Sequence, residues 1–210
     1  MFFIEMFVPE GVLTDARREL IAERLVALED LTEGESMHPD SAAVVRQVMH
    51  VVVHEPKTWW TADGPVDKAR PRFVVRAHVP NAWRKDLSEY LVQFFTRMIA
   101  ETEDDPERLY RDPFCEVHVV GVPEGGYGLR GKVMESSALI RMIGDPYRKA
   151  QEAGEVQAPE GSFYDPMCGV LVTRDEAVLL EHEGTTYGFC CKHCRQLFVE
   201  EKRQAAEASS

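Results

Sequence analysis

Two stretches of this chain, FFIEMFVPEG (2–11) and FVVRAHVPNA (73–82), read as one segment written twice at an offset of 71. Each is rich in apolar residues and ends on Val-Pro. Proline cannot donate to a sheet ladder, so each reads as a strand that stops there. A helical pattern follows each copy. Leu20, Ile21, Leu25 and Leu28 recur at helical spacing in the first, with Thr14 placed to cap it. Leu87, Leu91, Phe94, Phe95 and Met98 do the same in the second. A further strand closes each copy: VRQVMHVVVHEP (45–56) and CEVHVVGVPEG (115–125), which set His50 opposite His118 at an offset of 68. Tandem β-α-β units predict an α+β fold over 1–136, a four-stranded sheet with both helices on one face. The other face is expected to be bare and apolar, so that chains associate through it.

Composition excludes several partners. A net charge of −12 leaves no basic face for nucleic acid or an anionic membrane. No run approaches eighteen apolar residues, so no membrane span is expected. The N-terminus lacks a basic n-region and is interrupted by Glu5 and Pro9, so it does not read as a signal peptide. The expected compartment is the cytoplasm, where cysteines serve more often as metal ligands or buried thiols than as disulfides. The five cysteines cannot all pair within one chain.

The rest of the chain changes character. Residues 137–162 read as an arm and linker: Leu139, Ile140, Met142 and Ile143 are apolar, the helical pattern breaks at Gly144, Asp145 and Pro146, and EAGEVQAPEGS has linker composition. The arm can pack on a neighbouring subunit or on the C-terminal module. Residues 163–203 form that module and read as small and zinc-ribbon-like, with a knuckle at Cys168, a hairpin, and a helix from about Lys192. Cys168, Cys190 and Cys194 follow the spacing Cys-x21-Cys-x3-Cys. Thiolates are soft donors suited to Zn(II) or Cu(I), and cysteines four apart share a helix face. So short a module has too little core to fold on hydrophobic burial alone, which points to a structural metal. The fourth ligand stays open among Cys191, His193, His182, Met167 and none.

The module resembles the YHS/TRASH family of metal-binding domains. Asp165-Pro166-Met167-Cys168-Gly169 is similar to that family's DPxCGM opening. Gly184 through Cys190 is similar to its GxxYxFC segment, with Cys194 and Phe198 in the closing positions. The resemblance implies that Cys168, Cys190 and Cys194 ligate a zinc or copper ion for sensing, buffering or delivery. Val170 and Cys191 depart from the pattern.

The N-terminal repeat is similar to the tautomerase superfamily, which includes macrophage migration inhibitory factor. VHVVGVPEGGYGLRGK and FFIEMFVPEGVLTDARRELIAERL carry the likeness. It implies a homotrimer with the sheets lining a central barrel. It also implies an inter-subunit pocket at the hairpins of Trp59, Trp60, Tyr127 and Arg130, where an aromatic clamp and a guanidinium can hold a small aromatic or carboxylated ligand. The same aromatics can instead pack a subunit interface. The family's proline amine has no counterpart, because Phe2 follows Met1 and is expected to keep that Met in place. A proline-dependent tautomerase mechanism is therefore not expected. The alternative to a metal-holding protein is a metal-dependent oxidoreductase or isomerase that uses this pocket. Cys115 reads as a core thiol, and His50, His118, His78 and Arg76 read as residues of one sheet face. Glu101, Glu103, Asp104 and Asp105 read as a solvated helix end.

Overall fold

The computed structural model describes residues 2–28 and 37–208. Met1, whose retention Phe2 predicts, lies outside the described residues. In chain order the elements are β1 (Phe2–Phe7), α1 (Asp15–Leu25), α2 (Pro39–Val48), β2 (Met49–His54), β3 (Trp60–Thr61), β4 (Gly64–Pro65), β5 (Phe73–Pro80), α3 (Asn81–Ala100), α4 (Arg108–Arg111) and β6 (Cys115–Val122). They continue with β7 (Gly128–Leu129), β8 (Lys132–Val133), α5 (Ser136–Glu152), β9 (Ser162–Tyr164), β10 (Leu171–Thr173), β11 (Val178–His182), β12 (Thr185–Phe189) and α6 (Lys192–Ala208). No helix among the described residues is long and apolar enough to cross a membrane. They form two compact units, one of 2–28 with Val48–Pro123, the other of 37–47 with 124–208.

The first unit is the tandem β-α-β fold. Its sheet runs β2-β1-β5-β6. β1 pairs β2 in parallel and β5 pairs β6 in parallel, and the two halves meet where β1 and β5 run antiparallel. Alternation along the strands decides which side chains enter the core. Ile4, Met6, Phe73, Val75, Ala77 and Val79 are fully buried against Ile21 and Leu25 of α1 and Leu91, Phe94, Phe95 and Ile99 of α3. Thr14 caps α1 as expected, its hydroxyl accepting the Arg17 N–H at 3.2 Å. Cys115 faces this core, and burial pushes its thiol up to about 11.

The opposite sheet face is not the bare apolar surface expected from the repeat. Glu5, at the centre of β1, meets His54 Nε2 of β2 at 3.2 Å through one oxygen and His78 Nε2 of β5 at 3.1 Å through the other. His54 stacks on Phe7, and the Arg76 guanidinium lies 5.1 Å from the centre of the same ring. Val52 and Val120 contribute apolar surface, while His50 and His118 are exposed. The strand alternation that fills the core with aliphatics also lines up the polar residues on the other side, where they pair across strands.

The acidic run after α3 differs from expectation as well. Glu101 pairs with Arg24 and Asp105 with Arg111 near the surface, but Glu103 is buried between Arg17 and Arg108. Arg108 also donates to the Pro71 carbonyl at 3.0 Å. The chain turns back on itself here, and the carboxylate neutralises an arginine that water no longer reaches.

The second unit is assembled from distant segments. Met37 forms a β-bridge with Val170, and the His38 N–H donates to the Gly169 carbonyl at 2.9 Å. Helix α5 runs unbroken from Ser136 to Glu152 with Pro146 inside it, where the sequence suggested a break. Leu139, Ile140, Ile143 and Tyr147 are buried on one stripe of it, and this packing outweighs the proline's local cost. β9 pairs with β10 and β11 with β12 as antiparallel hairpins. α6 begins at Lys192, as expected, and buries Cys194, Leu197 and Phe198. Ser209 and Ser210 lie outside the described residues.

Replacing Glu103 with Gln leaves Arg108 buried without its countercharge. The expected cost is about 3–5 kcal/mol of unfolding free energy, measured by denaturant titration. A loss below about 1 kcal/mol would show that the pair is solvated instead.

Candidate metal centre

The site is built on the turn between β9 and β10. Asp165 Oδ1 accepts the Met167 N–H at 2.7 Å, an Asx turn that tightens the knuckle. Two backbone bonds close it: Asp165 N–H to the Val170 carbonyl at 2.7 Å, and Gly169 N–H to the Asp165 carbonyl at 2.8 Å. Gly169 turns at φ +75°, and a Cβ there would stand 2.8 Å from Tyr147 Cβ and 3.1 Å from Ser41 Oγ. Helix α5 approaches more closely still. A Cβ on Gly144 would lie 1.8 Å from the Met167 carbonyl oxygen, so only glycine lets the helix rest on the knuckle. The apolar arm therefore packs within its own chain against the cysteine segment.

The second half of the site comes from the end of β12 and the start of α6. Asp165 Oδ2 accepts the Cys190 N–H at 2.9 Å, so one carboxylate ties together two loops 25 residues apart in sequence. This brings Cys168 Sγ within 3.7 Å of Cys190 Sγ, and Cys190 Sγ within 3.8 Å of Cys194 Sγ. The last pair sits four positions apart, as a turn entering a helix requires. The three sulfurs and an Asp165 oxygen all lie within 4.8 Å of one another. Two sulfurs bound at about 2.3 Å to one tetrahedral zinc are about 3.8 Å apart, so the observed spacing is that of ligands on a shared ion. A disulfide would need about 2.05 Å.

The electrostatics agree. Asp165 is fully buried, and burial followed by the Cys168 charge pushes its carboxyl well above the usual range. Hydrogen bonds from Cys190 and Cys194 hold the Cys168 thiol well below its ordinary value. Contact with Cys168, then with Cys191, pushes Cys190 up, and contact with Cys168 pushes Cys194 up against the lowering effect of Cys190. Four acidic groups share one buried volume, and a cation is what would let them ionise together. Each carboxylate oxygen accepting a single N–H keeps a free lone pair, so Asp165 can still offer a donor. The residues fit a borderline-soft ion with three sulfurs and one oxygen.

Sequence reasoning identified the three cysteines, and the structure brings them together. It quoted Asp165 in the motif without naming it as a donor. The signal was legible, because an Asp two residues before a buried backbone N–H commonly closes an Asx turn. Of the other fourth-ligand candidates, His182, His193 and Cys191 fall outside the four-donor group. His182 packs edge-on against Phe198 at 6.1 Å, and Met167 is buried beside the knuckle. His193 Nε2 is buried without a hydrogen-bond partner, and Cys191 Sγ accepts the Cys194 N–H at 3.5 Å. Of the expected pocket residues, Trp59 is half-buried beside the β3–β4 hairpin of the first unit. Tyr127 and Arg130 belong to the β7–β8 hairpin of the second unit, where Arg130 is exposed at φ +54°.

No protein-family model matches the chain, and no curated protein matches it. Among solved structures, N1, a member of the cis-3-chloroacrylic acid dehalogenase family, matches with a TM-score of 0.50 at 15% identity, over 73% of this chain and 99% of that one. A fused 4-OT, described as an asymmetric trimer, matches with a TM-score of 0.47 at 17% identity over 62% and 94% of the two chains. A macrophage migration inhibitory factor-like protein from Entamoeba histolytica matches with a TM-score of 0.44 at 9% identity over 63% and 98%. The first likeness shows a shared fold: the chain has the α+β architecture of that protein. At this level of identity it carries nothing about activity.

Two substitutions probe the site's supports. Asp165→Asn puts an amide where a second acceptor is needed, and should weaken metal affinity about 10–100-fold in a competition titration. Gly144→Ala pushes a methyl into the Met167 carbonyl and should destabilise the second unit by about 1–3 kcal/mol in thermal unfolding. Unchanged affinity in the first, or an unchanged melt in the second, would contradict the geometry described.

Proposed function

We propose that residues 163–203, within the second unit, are a metal-binding module of YHS/TRASH type, holding one ion on Cys168, Cys190 and Cys194 with Asp165 as the oxygen donor. The observation that carries this reading is the buried four-donor cluster, whose sulfur spacing matches ligands on a shared ion. Zn(II) fits the mixed sulfur and oxygen set best, since Cu(I) prefers sulfur alone. When bound, the ion supplies a cross-link among the knuckle, the hairpin and α6. Cys168 and Cys194 are buried and Cys190 is partly buried. Buffering or delivery of the ion is the role that the module's resemblance implies. The first unit serves as the assembly platform. A homotrimer is the form that the resemblance of the repeat implies, and sedimentation of the purified protein measures it.

Elemental analysis of protein purified without added metal should find one zinc per chain, and Cys190→Ala should lose it. Unchanged metal content in that variant would overturn the assignment. The pH dependence has a definite sign. Cys190, Cys194 and Asp165 carry protons above their ordinary ranges when no ion is bound, so binding near neutral pH must expel protons. Affinity should therefore rise with pH and fall on acidification. Calorimetry in buffers of different ionisation enthalpy should show net proton release.

A further inference from the structure

A fourth thiol stands beside the proposed ligands without joining them. Cys191 immediately precedes α6 and Cys194 is the third residue of that helix, so the two form a Cys-x-x-Cys pair across its first turn. Cys191 occupies the capping position: its Sγ accepts the Cys194 N–H at 3.5 Å. One helical turn holds two such backbones about 5 Å apart, inside the range of about 4.4–6.8 Å that a disulfide spans. Cys191 is only half-buried, whereas Cys168 and Cys194 are buried. It lies outside the group of four donors whose atoms are all within 4.8 Å of one another. Its neighbour Cys190 is in that group, so the segment Cys190-Cys191-Lys192-His193-Cys194 places a non-ligand thiol within reach of a ligand thiol.

Resting on the metal-binding reading above, we propose that Cys191 is the resolving thiol of a redox-controlled release device: oxidation joins it to Cys194 and takes a ligand from the ion. The oxidant is a hydroperoxide. The Cys191 sulfur attacks one peroxide oxygen, the O–O bond breaks, and Cys191 becomes a sulfenic acid while the second oxygen leaves as water. The Cys194 sulfur then attacks the Cys191 sulfur, the S–O bond breaks, and the oxygen held there also leaves as water. One thiol, one ion-bound thiolate, one hydrogen peroxide and one proton from solvent give one disulfide and two waters, a two-electron exchange. Closing the sulfurs to about 2.05 Å turns Cys194 away from Cys190, and the ion is left with Cys168, Cys190 and Asp165. A dithiol reductant restores the site.

The test uses full-length zinc-loaded protein, hydrogen peroxide, a chromogenic zinc chelator and peptide mass mapping. The wild type should release its zinc, form the Cys191–Cys194 disulfide and recover zinc binding after dithiothreitol. Reduced Cys191→Ser should bind zinc as the wild type does. It should keep its ion at peroxide concentrations that empty the wild type, and whatever it loses under stronger oxidation should not return. Equal and reversible release from Cys191→Ser, or a wild-type disulfide joining Cys168 to Cys190, would overturn the proposal while leaving the metal reading intact. Failure of the reduced variant to bind zinc would also overturn it, by showing Cys191 to be a ligand. Absence of zinc binding by the reduced wild type would instead remove the metal reading itself.

Discussion

A carboxylate with no exposure to water organises the second unit. Asp165 receives one backbone N–H from the knuckle and another from the end of β12. Those two bonds fix the distance between segments that the sequence holds far apart, and the sulfurs of Cys168 and Cys190 approach as a result. Burying such a group among thiols is costly unless it keeps its proton or gains a cation. The arrangement is therefore strained toward metal: each proton that leaves makes the pocket a better host for a positive ion. Hydrogen bonding and cation binding draw on the same two oxygens without conflict, because each oxygen has lone pairs for both.

The elements around this carboxylate show why a short cysteine segment can be rigid. Its own strands are three to five residues long and cannot enclose a core. Helix α5 lends it Leu139, Ile143 and Tyr147, and the segment at Met37 adds a β-bridge and a hydrogen bond at Val170 and Gly169. Close contact is possible because glycine stands at the two points of nearest approach, Gly144 and Gly169. The segment 37–47 runs on in sequence into β2.

The sheet of the first unit carries a different kind of organisation. Its core face is aliphatic and aromatic throughout, while its other face has a glutamate bridging two histidines from the flanking strands. A surface of that kind does not associate through hydrophobic burial alone. It carries a half-buried carboxylate and an arginine held over Phe7.

The repeat was legible because hydrophobic alternation and helical spacing are local properties, and each strand's buried face follows from the residues on either side of it. The cysteine trio was legible for a similar reason, since spacing and turn residues sit within one short segment. Glu103 was not: its neighbours in sequence are acidic and solvated, and only the fold supplies Arg17 and Arg108 on either side of it. Nor was α5, where a local breaker, Pro146, is overruled by packing against the knuckle. The order of residues alone determined the β-α-β doubling, the capping Thr14 and the thiols that converge, because each depends on chemistry within a few positions. The tertiary structure alone decided that Asp165 joins those thiols, that the helix at Ser136–Glu152 supports them and that Glu5 meets His54 and His78, because each depends on groups meeting across long stretches of chain.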